Sequence, residues 1–178
     1  IQQSCVEHDD DMRWLIALIS DTGMRLAEAA GLHIEDLKLD KDIPHVDIKP
    51  YPWRSLKTKG SQRQVPLVGA SLWAAQRIKA NASSCFAFPR YTDNSRCNAN
   101  SASNALNKWL HANYRKDIVI HGFRHAMRDR LRAVSCPSEM IDHIGGWSSG
   151  KVGEGYGEGF SVLQIAQWMT GLSLELWE

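Results

Sequence analysis

The sequence contains no stretch that could hold it in a membrane or direct its export. No apolar run approaches the length of about 18 residues that a membrane-spanning helix needs. The first residues, IQQSCVEHDDD, include neither an initiator methionine nor the basic and then apolar pattern of a signal peptide. We therefore expect a cytoplasmic protein with no membrane partner, and we expect the chain to be part of a longer one.

Cysteine is scarce and widely spaced. The chain has four cysteines and no C-x-x-C pair, whereas zinc sites need closer ligands and secreted disulfide frameworks need more cysteine per residue. The sequence also lacks the clustered Asp, Glu and His residues that a metal-dependent nuclease would need. We expect reduced, structural thiols at Cys5, Cys85, Cys97 and Cys136.

What remains is the composition of one globular domain. The chain has 178 residues, of which 43% are hydrophobic and 23% charged, and it contains no internal repeat or low-complexity block. Its periodicity predicts a mixed α+β fold, mainly α-helical, with a small three-stranded antiparallel sheet. Helices are predicted over 9–20, 24–30, 71–82, 103–114, 123–134, from Pro137 to Gly145-Gly146 and in a C-terminal tail over 160–178, and strands near 37–39, 45–49 and 62–68.

The formal net charge of +1 hides two basic blocks. Residues 48–68 contain five cations and no acid, and residues 108–132 contain seven cations against two acids. By contrast, residues 139–178 hold six carboxylates and one lysine. A solvated face would explain one such run, but two suggest a surface that meets a polyanion. The predicted DNA contacts from these blocks are Arg54, Lys59, Arg63 and Arg128.

Two arginines lie near predicted helix N-termini. In HGFRHAMRDRLR, His121 and Arg124 are one turn apart and share a helix face whose N-terminal end attracts anions. In TGMRLAEAAGL, Arg25 follows a Thr-Gly break, and Glu28 can orient its guanidinium group. Each motif alone is also compatible with ordinary surface residues.

Two further segments carry candidate functional groups. LKTKGSQRQVPL places Lys57 and Lys59 on the predicted hairpin, where exposed lysines often serve only solubility. GGWSSGKVGEGYGEG places Tyr156 nine residues after Trp147, among glycines that let the segment move.

Together these groups could cleave a phosphodiester without a metal. Arginine forks match the non-bridging oxygens of a phosphate and stabilise transition-state charge. A lysine can protonate the leaving oxygen, and a tyrosine can become a nucleophile in a cationic pocket.

At this point the sequence resembles the tyrosine recombinases, or phage-type integrases, and specifically their catalytic domain. TGMRLAEAAGL, KTKGSQRQVPL, HGFRH, GGWSS and the tyrosine occur in the family's order, from residue 9 to about residue 163. The resemblance implies that the whole of 1–178 is one catalytic domain whose N-terminal DNA-binding domain is absent. The implied catalytic residues are Arg25 with Glu28 as its companion, Lys57, His121, Arg124, Trp147 and the nucleophile Tyr156.

Two positions depart from the family pattern or leave it open. Trp147 stands where most members have His, so an indole N–H can donate there but cannot exchange a proton. Any base role then passes to His121, or no side chain fills it. The K-T pattern favours Lys57 as the catalytic lysine, while the distance from VPL leaves Lys59 open.

The resemblance implies site-specific DNA strand exchange by a bacterial or phage-encoded enzyme. A 3′-phosphotyrosyl intermediate would serve the integration or excision of a phage or other mobile element without ATP, metal or cofactor. The implied partners are double-stranded DNA at attachment sites and further copies of the chain, in a tetramer joined through the C-terminal tail. We expect the apolar tail to pack on its own domain in isolation, or on a second copy in the assembly. The alternatives are a type IB topoisomerase-like enzyme that relaxes DNA and a catalytically inactive DNA-binding module.

Overall fold

The computed structural model describes residues 1–58, 61–147 and 159–172. The protein is mainly helical with one three-stranded antiparallel sheet, which confirms the predicted fold class. The N-terminal part contains α1 (Gln2–His8), α2 (Asp11–Thr22), α3 (Leu26–Ala30), a 3-10 turn (Ile34–Asp36), β1 (Leu37–Lys38), β2 (His45–Ile48) and β3 (Arg63–Pro66). The C-terminal part contains α4 (Gly69–Ala80), α5 (Ala99–Asn113), α6 (Ile120–Ala133), α7 (Ser138–Gly145), α8 (Val162–Met169) and a final 3-10 turn (Thr170–Leu172). No described helix is long and apolar enough to cross a membrane.

Helix α2 forms the centre of the core. Its residues from Leu15 to Ile19 are buried, and α4 and α6 pack against it. The helix continues to Thr22, beyond the predicted end at residue 20, and the Thr22 hydroxyl donates to the Leu18 carbonyl at 2.6 Å. The chain turns only at Gly23, whose left-handed φ of 64° suits glycine. Because α2 ends here, Met24 and Arg25 lie directly before the first residue of α3.

The sheet has the order β1-β2-β3, so β2 is its central strand. Leu37 pairs with Val46, and Val46 pairs with Val65 on the other side. All three side chains are fully buried, which anchors the sheet in the core. Pro66 is tolerated in β3 because this is an edge strand.

Helices α5 and α6 begin earlier than their apolar periodicity predicts, at Ala99 and Ile120 and not at residues 103 and 123. The Ile120 N–H donates to the Asn107 side chain of α5 at 2.8 Å, which satisfies a main-chain donor at the start of α6. His121 therefore lies in the first turn of α6, with Arg124 one turn farther on. The sequence did not predict α1, which packs on α2.

The described part of the tail packs on its own domain. Ile165, Met169 and Leu172 are buried in the common core, and α8 contacts β3. Arg130 of α6 donates a hydrogen bond to the Leu172 carbonyl. Leu163, on the other side of the helix, is 58% exposed. The structure thus has the packing expected in the isolated domain, and residues 173–178 lie outside the described residues.

We expect Ile165→Ala to lower the free energy of unfolding by about 2–5 kcal/mol because it removes buried methyl groups and leaves a cavity. The matched change Leu163→Ala removes an exposed side chain of the same helix and should alter stability by less than about 0.5 kcal/mol. Urea denaturation followed by circular dichroism measures both. Equal effects of the two changes would contradict the packing of α8 on the core.

Candidate active site

Arg25 occupies the N-terminal cap of α3, two residues after the turn at Gly23. Its main-chain N–H donates to Glu28 Oε2 at 2.9 Å, and its Nη1 donates to Glu28 Oε1 at 2.7 Å. Glu28 is only 3% exposed, so the pair is not the solvated ion pair that usually contributes little. The structure therefore brings Arg25 together with its predicted acidic companion.

Arg124 reaches the same region from α6. Its side chain is buried, and Nη1 donates to the Gly23 carbonyl at 2.5 Å. Its Nη2 has no hydrogen-bond partner among the described residues, which is uncommon for a buried guanidinium nitrogen. Burial first, and then the charge of Arg25, lowers the pKa of Arg124 to about 10. The site therefore holds a buried cation with a free donor, a combination that suits an anionic ligand.

A cavity of about 220 Å³ opens beside Arg124. His121 and Arg124 line it from α6, Asn100 and Ser103 from α5, and Met24 and Leu26 from the start of α3. Partial burial, and then the neighbouring His125, Arg124 and Arg25, lowers the pKa of His121. His121 is therefore neutral at neutral pH and can accept a proton.

Trp147 follows α7 and packs under the arginines. The Arg124 guanidinium lies over the indole ring at 4.3 Å from its centre, and Arg128 lies over it at 5.0 Å. Arg128 also contacts Asp142 at 3.3 Å and keeps 35% of its side chain exposed. The structure thus gives Trp147 a cation–π contact with Arg124 that the sequence did not predict.

The turn before Trp147 comes close to the arginines through its main chain. Arg25 Nη2 donates to the Gly146 carbonyl at 2.7 Å. Gly146 has a left-handed φ of 60°, and a Cβ atom there would lie 2.7 Å from Arg63 Nη1 and 3.4 Å from Arg25 Nη1. Only glycine fits this approach without displacing a guanidinium group.

Two predicted DNA contacts lie inside the protein and not on its surface. Arg63 is buried, forms an ion pair with Glu28 and donates hydrogen bonds to main-chain carbonyls. Arg54 is 3% exposed and donates to the Glu28 carbonyl at 2.5 Å and to the Lys49 carbonyl. Counting charges along the sequence identified both as basic but could not show that protein oxygens occupy their donors. We therefore assign neither to a DNA surface.

The loop between β2 and β3 brings the predicted lysine segment to the site. Lys57 is exposed on this loop. Thr58 and Ser61 hydroxyls lie 3.0 Å apart, and Arg25 Nη1 donates to Ser61 Oγ at 3.2 Å. Both Lys59 and the predicted nucleophile Tyr156 lie outside the described residues.

The sequence profile of the phage integrase family matches residues 3–157. The chain belongs to this family. No curated protein matches it.

Solved structures of the Tn1549 transposon integrase share the fold of this chain. The complex with circular intermediate DNA aligns with a TM-score of 0.57 and 17% identity, over 89% of this chain and 53% of that one. An arginine-to-lysine variant with circular intermediate DNA gives 0.56 and 17%, over 88% and 53%. A tyrosine-to-phenylalanine variant with transposon right end DNA gives 0.52 and 18%, over 88% and 53%. This chain therefore spans about half the length of the integrase chains that it matches.

Sequence reasoning missed two contributors to the candidate site. Ser61 is fully buried and binds Arg25, although nothing in the sequence distinguishes it from other loop serines. Gly146 could have been noticed, because the Gly-Gly pair before Trp147 exceeds what a helix stop requires. Among the described residues, no group of three or more His, Cys, Asp or Glu side chains could hold a metal ion.

We expect Gly146→Ala to destabilise the protein by about 1–3 kcal/mol, because the left-handed backbone at Gly146 disfavours a side chain and the new methyl group would meet Arg63. The control is Gly171→Ala, where an added Cβ meets no atom within 4 Å. Chemical denaturation compares the two. Unchanged stability of Gly146→Ala would mean that the turn does not approach the arginines this closely.

Proposed function

We propose that this chain is the catalytic domain of a site-specific DNA recombinase that cleaves and rejoins DNA through a covalent tyrosine intermediate. The observation that carries the proposal is the position of Arg124. This residue is buried, and its Nη2 has no hydrogen-bond partner among the described residues. Arg124 lines a cavity together with His121, and it lies close enough to Arg25 for the two charges to interact. Two guanidinium groups can bind the non-bridging oxygens of one phosphate. Membership of the phage integrase family supports DNA as the source of that phosphate.

In the proposed reaction, Tyr156 Oη attacks the scissile phosphorus. The new bond joins the tyrosine oxygen to phosphorus, and the bond from phosphorus to the 5′ oxygen breaks. Lys57 supplies the proton to that leaving oxygen, so a free 5′-hydroxyl forms. Arg25 and Arg124 stabilise the charge that develops on the phosphoryl oxygens. Attack by a 5′-hydroxyl of the partner strand reverses these steps and releases Tyr156.

Deprotonation of the nucleophile is assigned to His121. Trp147 cannot accept a proton, whereas burial and nearby cations lower the pKa of His121 and keep it neutral. Trp147 instead supports Arg124 through its ring face, at 4.3 Å. In this scheme Trp147 does not exchange a proton as a histidine could. It positions Arg124, the cation that stabilises the transition state.

The proposed substrate is double-stranded DNA at the attachment sites of a phage or other mobile element. The Tn1549 structures contain an integrase with circular intermediate DNA or transposon end DNA, which supports this substrate class. The covalent link stores the energy of the broken bond, so the scheme needs neither ATP nor a metal. Assembly as a tetramer through the tail, in a bacterial cytoplasm, completes the proposal.

We expect Tyr156→Phe to abolish covalent DNA linkage while fold and DNA binding persist, because the change removes only the nucleophilic oxygen. A suicide substrate carrying the correct site, with the complete protein, makes the adduct visible as a band resistant to denaturant. Tyr114→Phe is the matched control, because Tyr114 contacts Ser4 at the far end of α5. Arg124→Ala should also abolish the band. An adduct formed by the Tyr156→Phe protein would refute the assignment.

We expect Lys57→Ala to slow cleavage by about 100-fold or more, because it removes the general acid. A substrate with a 5′-bridging phosphorothiolate has a better leaving group and should restore much of the rate. Lys59→Ala is the comparison, and it should weaken DNA binding more than chemistry. Rescue of Lys59→Ala but not of Lys57→Ala would transfer the acid role to Lys59.

A further inference from the structure

Arg63 of β3 is a second buried guanidinium group behind the proposed catalytic site. Its side chain is 0% exposed, and that of Glu28 is 4% exposed. Arg63 Nη2 donates to Glu28 Oε2 at 2.9 Å, and Nη1 donates to Glu28 Oε1 at 3.3 Å. The two oxygens of one carboxylate are thus shared between Arg63 and Arg25. No surface remains on Arg63 for a DNA phosphate.

Arg63 also binds the main chain on two other segments of the site. Its Nε donates to the Ile144 carbonyl at 2.7 Å, near the end of α7. Its Nη1 donates to the Ser61 carbonyl at 2.7 Å, at the end of the β2–β3 loop. Arg25 binds the same two segments through Gly146 and the Ser61 hydroxyl. The two arginines therefore connect α3, α7 and the loop around a single carboxylate.

We propose that Arg63 is a positioning residue for the proposed recombination chemistry. It fixes the Glu28 carboxylate and, through it, the guanidinium group of Arg25. It also holds the end of α7, which is followed by Trp147, against the loop that carries Lys57. This inference rests on the function proposed above and assigns Arg63 no contact with substrate.

An arginine suits this position because its donors diverge in one plane. Three donor atoms of Arg63 reach a carboxylate and two carbonyls on separate segments. A lysine would retain the charge but has a single nitrogen, so it could not maintain all these directions from one position. A methionine would fill the space and leave Glu28 facing one arginine fewer.

The ionisation of Glu28 depends on this arrangement. Burial alone would raise the pKa of Glu28, but the charge and hydrogen bonds of Arg63, followed by those of Arg25, hold it below its ordinary value. Arg54 also contacts Glu28, by donating to the main-chain carbonyl of Glu28. Arg124 lies near enough to interact electrostatically with the Glu28 carboxylate. Loss of Arg63 therefore raises the pKa of Glu28, and a protonated carboxyl group has fewer acceptor sites for Arg25.

The test measures single-turnover adduct formation by the complete protein at saturating suicide DNA. We expect Arg63→Met to lower the rate by about 100-fold through misplacement of Arg25, while DNA affinity is retained. The ratio of variant to unaltered rate should fall further as pH decreases, because the raised pKa of Glu28 in the variant lets it become protonated at a higher pH than in the unaltered protein. Arg63→Lys should give an intermediate rate with a flatter ratio, because the charge remains.

A double variant separates Glu28 from a nearby histidine. The charge of Arg63 helps lower the pKa of His143, so its removal affects that group as well. Adding Glu28→Gln to Arg63→Met should remove the part of the pH dependence that belongs to Glu28, whereas any contribution of His143 would persist. A pH dependence unchanged by Glu28→Gln would contradict the proposed coupling.

Three outcomes would overturn the inference. An unaltered rate in Arg63→Met or Arg63→Lys would exclude positioning, and a loss of DNA affinity without a loss of rate would indicate a DNA contact. If Arg63→Met does not fold, Arg63→Lys decides by its rate and affinity.

If the unaltered protein forms no adduct, the proposed function fails instead, and nuclear magnetic resonance still tests the ion pair of Arg63 with Glu28. In that case the pKa of Glu28 should rise in Arg63→Met and rise less in Arg63→Lys, which keeps the charge, and an unchanged pKa in Arg63→Met would overturn the inference.

Discussion

The buried carboxylate of Glu28 is the constraint on which the site depends. A carboxylate that is 3% exposed is costly unless cations and donors surround it, and Arg25 and Arg63 supply both. Because these arginines come from α3 and β3, satisfying one charge fixes the helix against the sheet. The remaining donors of both arginines then reach the main chain at Gly146 and Ile144 and so place α7.

The same arrangement explains how the chain accommodates several cations near one another. Arg25 and Arg63 are partly neutralised by Glu28, whereas among the described residues Arg124 contacts the Gly23 carbonyl and the face of Trp147 but no carboxylate. Arg124 is therefore the least satisfied cation of the group, and its pKa is lowered as burial and Arg25 oppose its charge. An anionic ligand beside it would relieve this repulsion. The fold thus holds Arg63 entirely with protein groups, whereas Nη2 of Arg124 has no partner among the described residues and is available to the phosphate of the proposed reaction.

Local patterns in the sequence predicted much of this arrangement, and the failures have identifiable causes. The spacing of Arg25 to Glu28, like that of His121 to Arg124, is set by helical geometry, so it could be recognised without a fold. The alternation in 45–49, and the β-branched residues and proline in 62–68, similarly predicted two of the strands. Arg63 was misassigned because burial and main-chain carbonyl partners arise only when distant segments meet. The contact of Trp147 with Arg124 was missed for the same reason, and the placement of Tyr156 lies outside the described residues.

In the proposed reaction, Tyr156 becomes covalently linked to DNA in a site assembled by these arginines. The most direct test digests the trapped complex of the complete protein and suicide DNA with protease and nuclease and sequences the modified peptide by mass spectrometry. We expect a nucleotide joined through its 3′ phosphate to Tyr156, in the peptide that follows Trp147. A nucleotide on any other residue, or linkage through a 5′ phosphate, would contradict it.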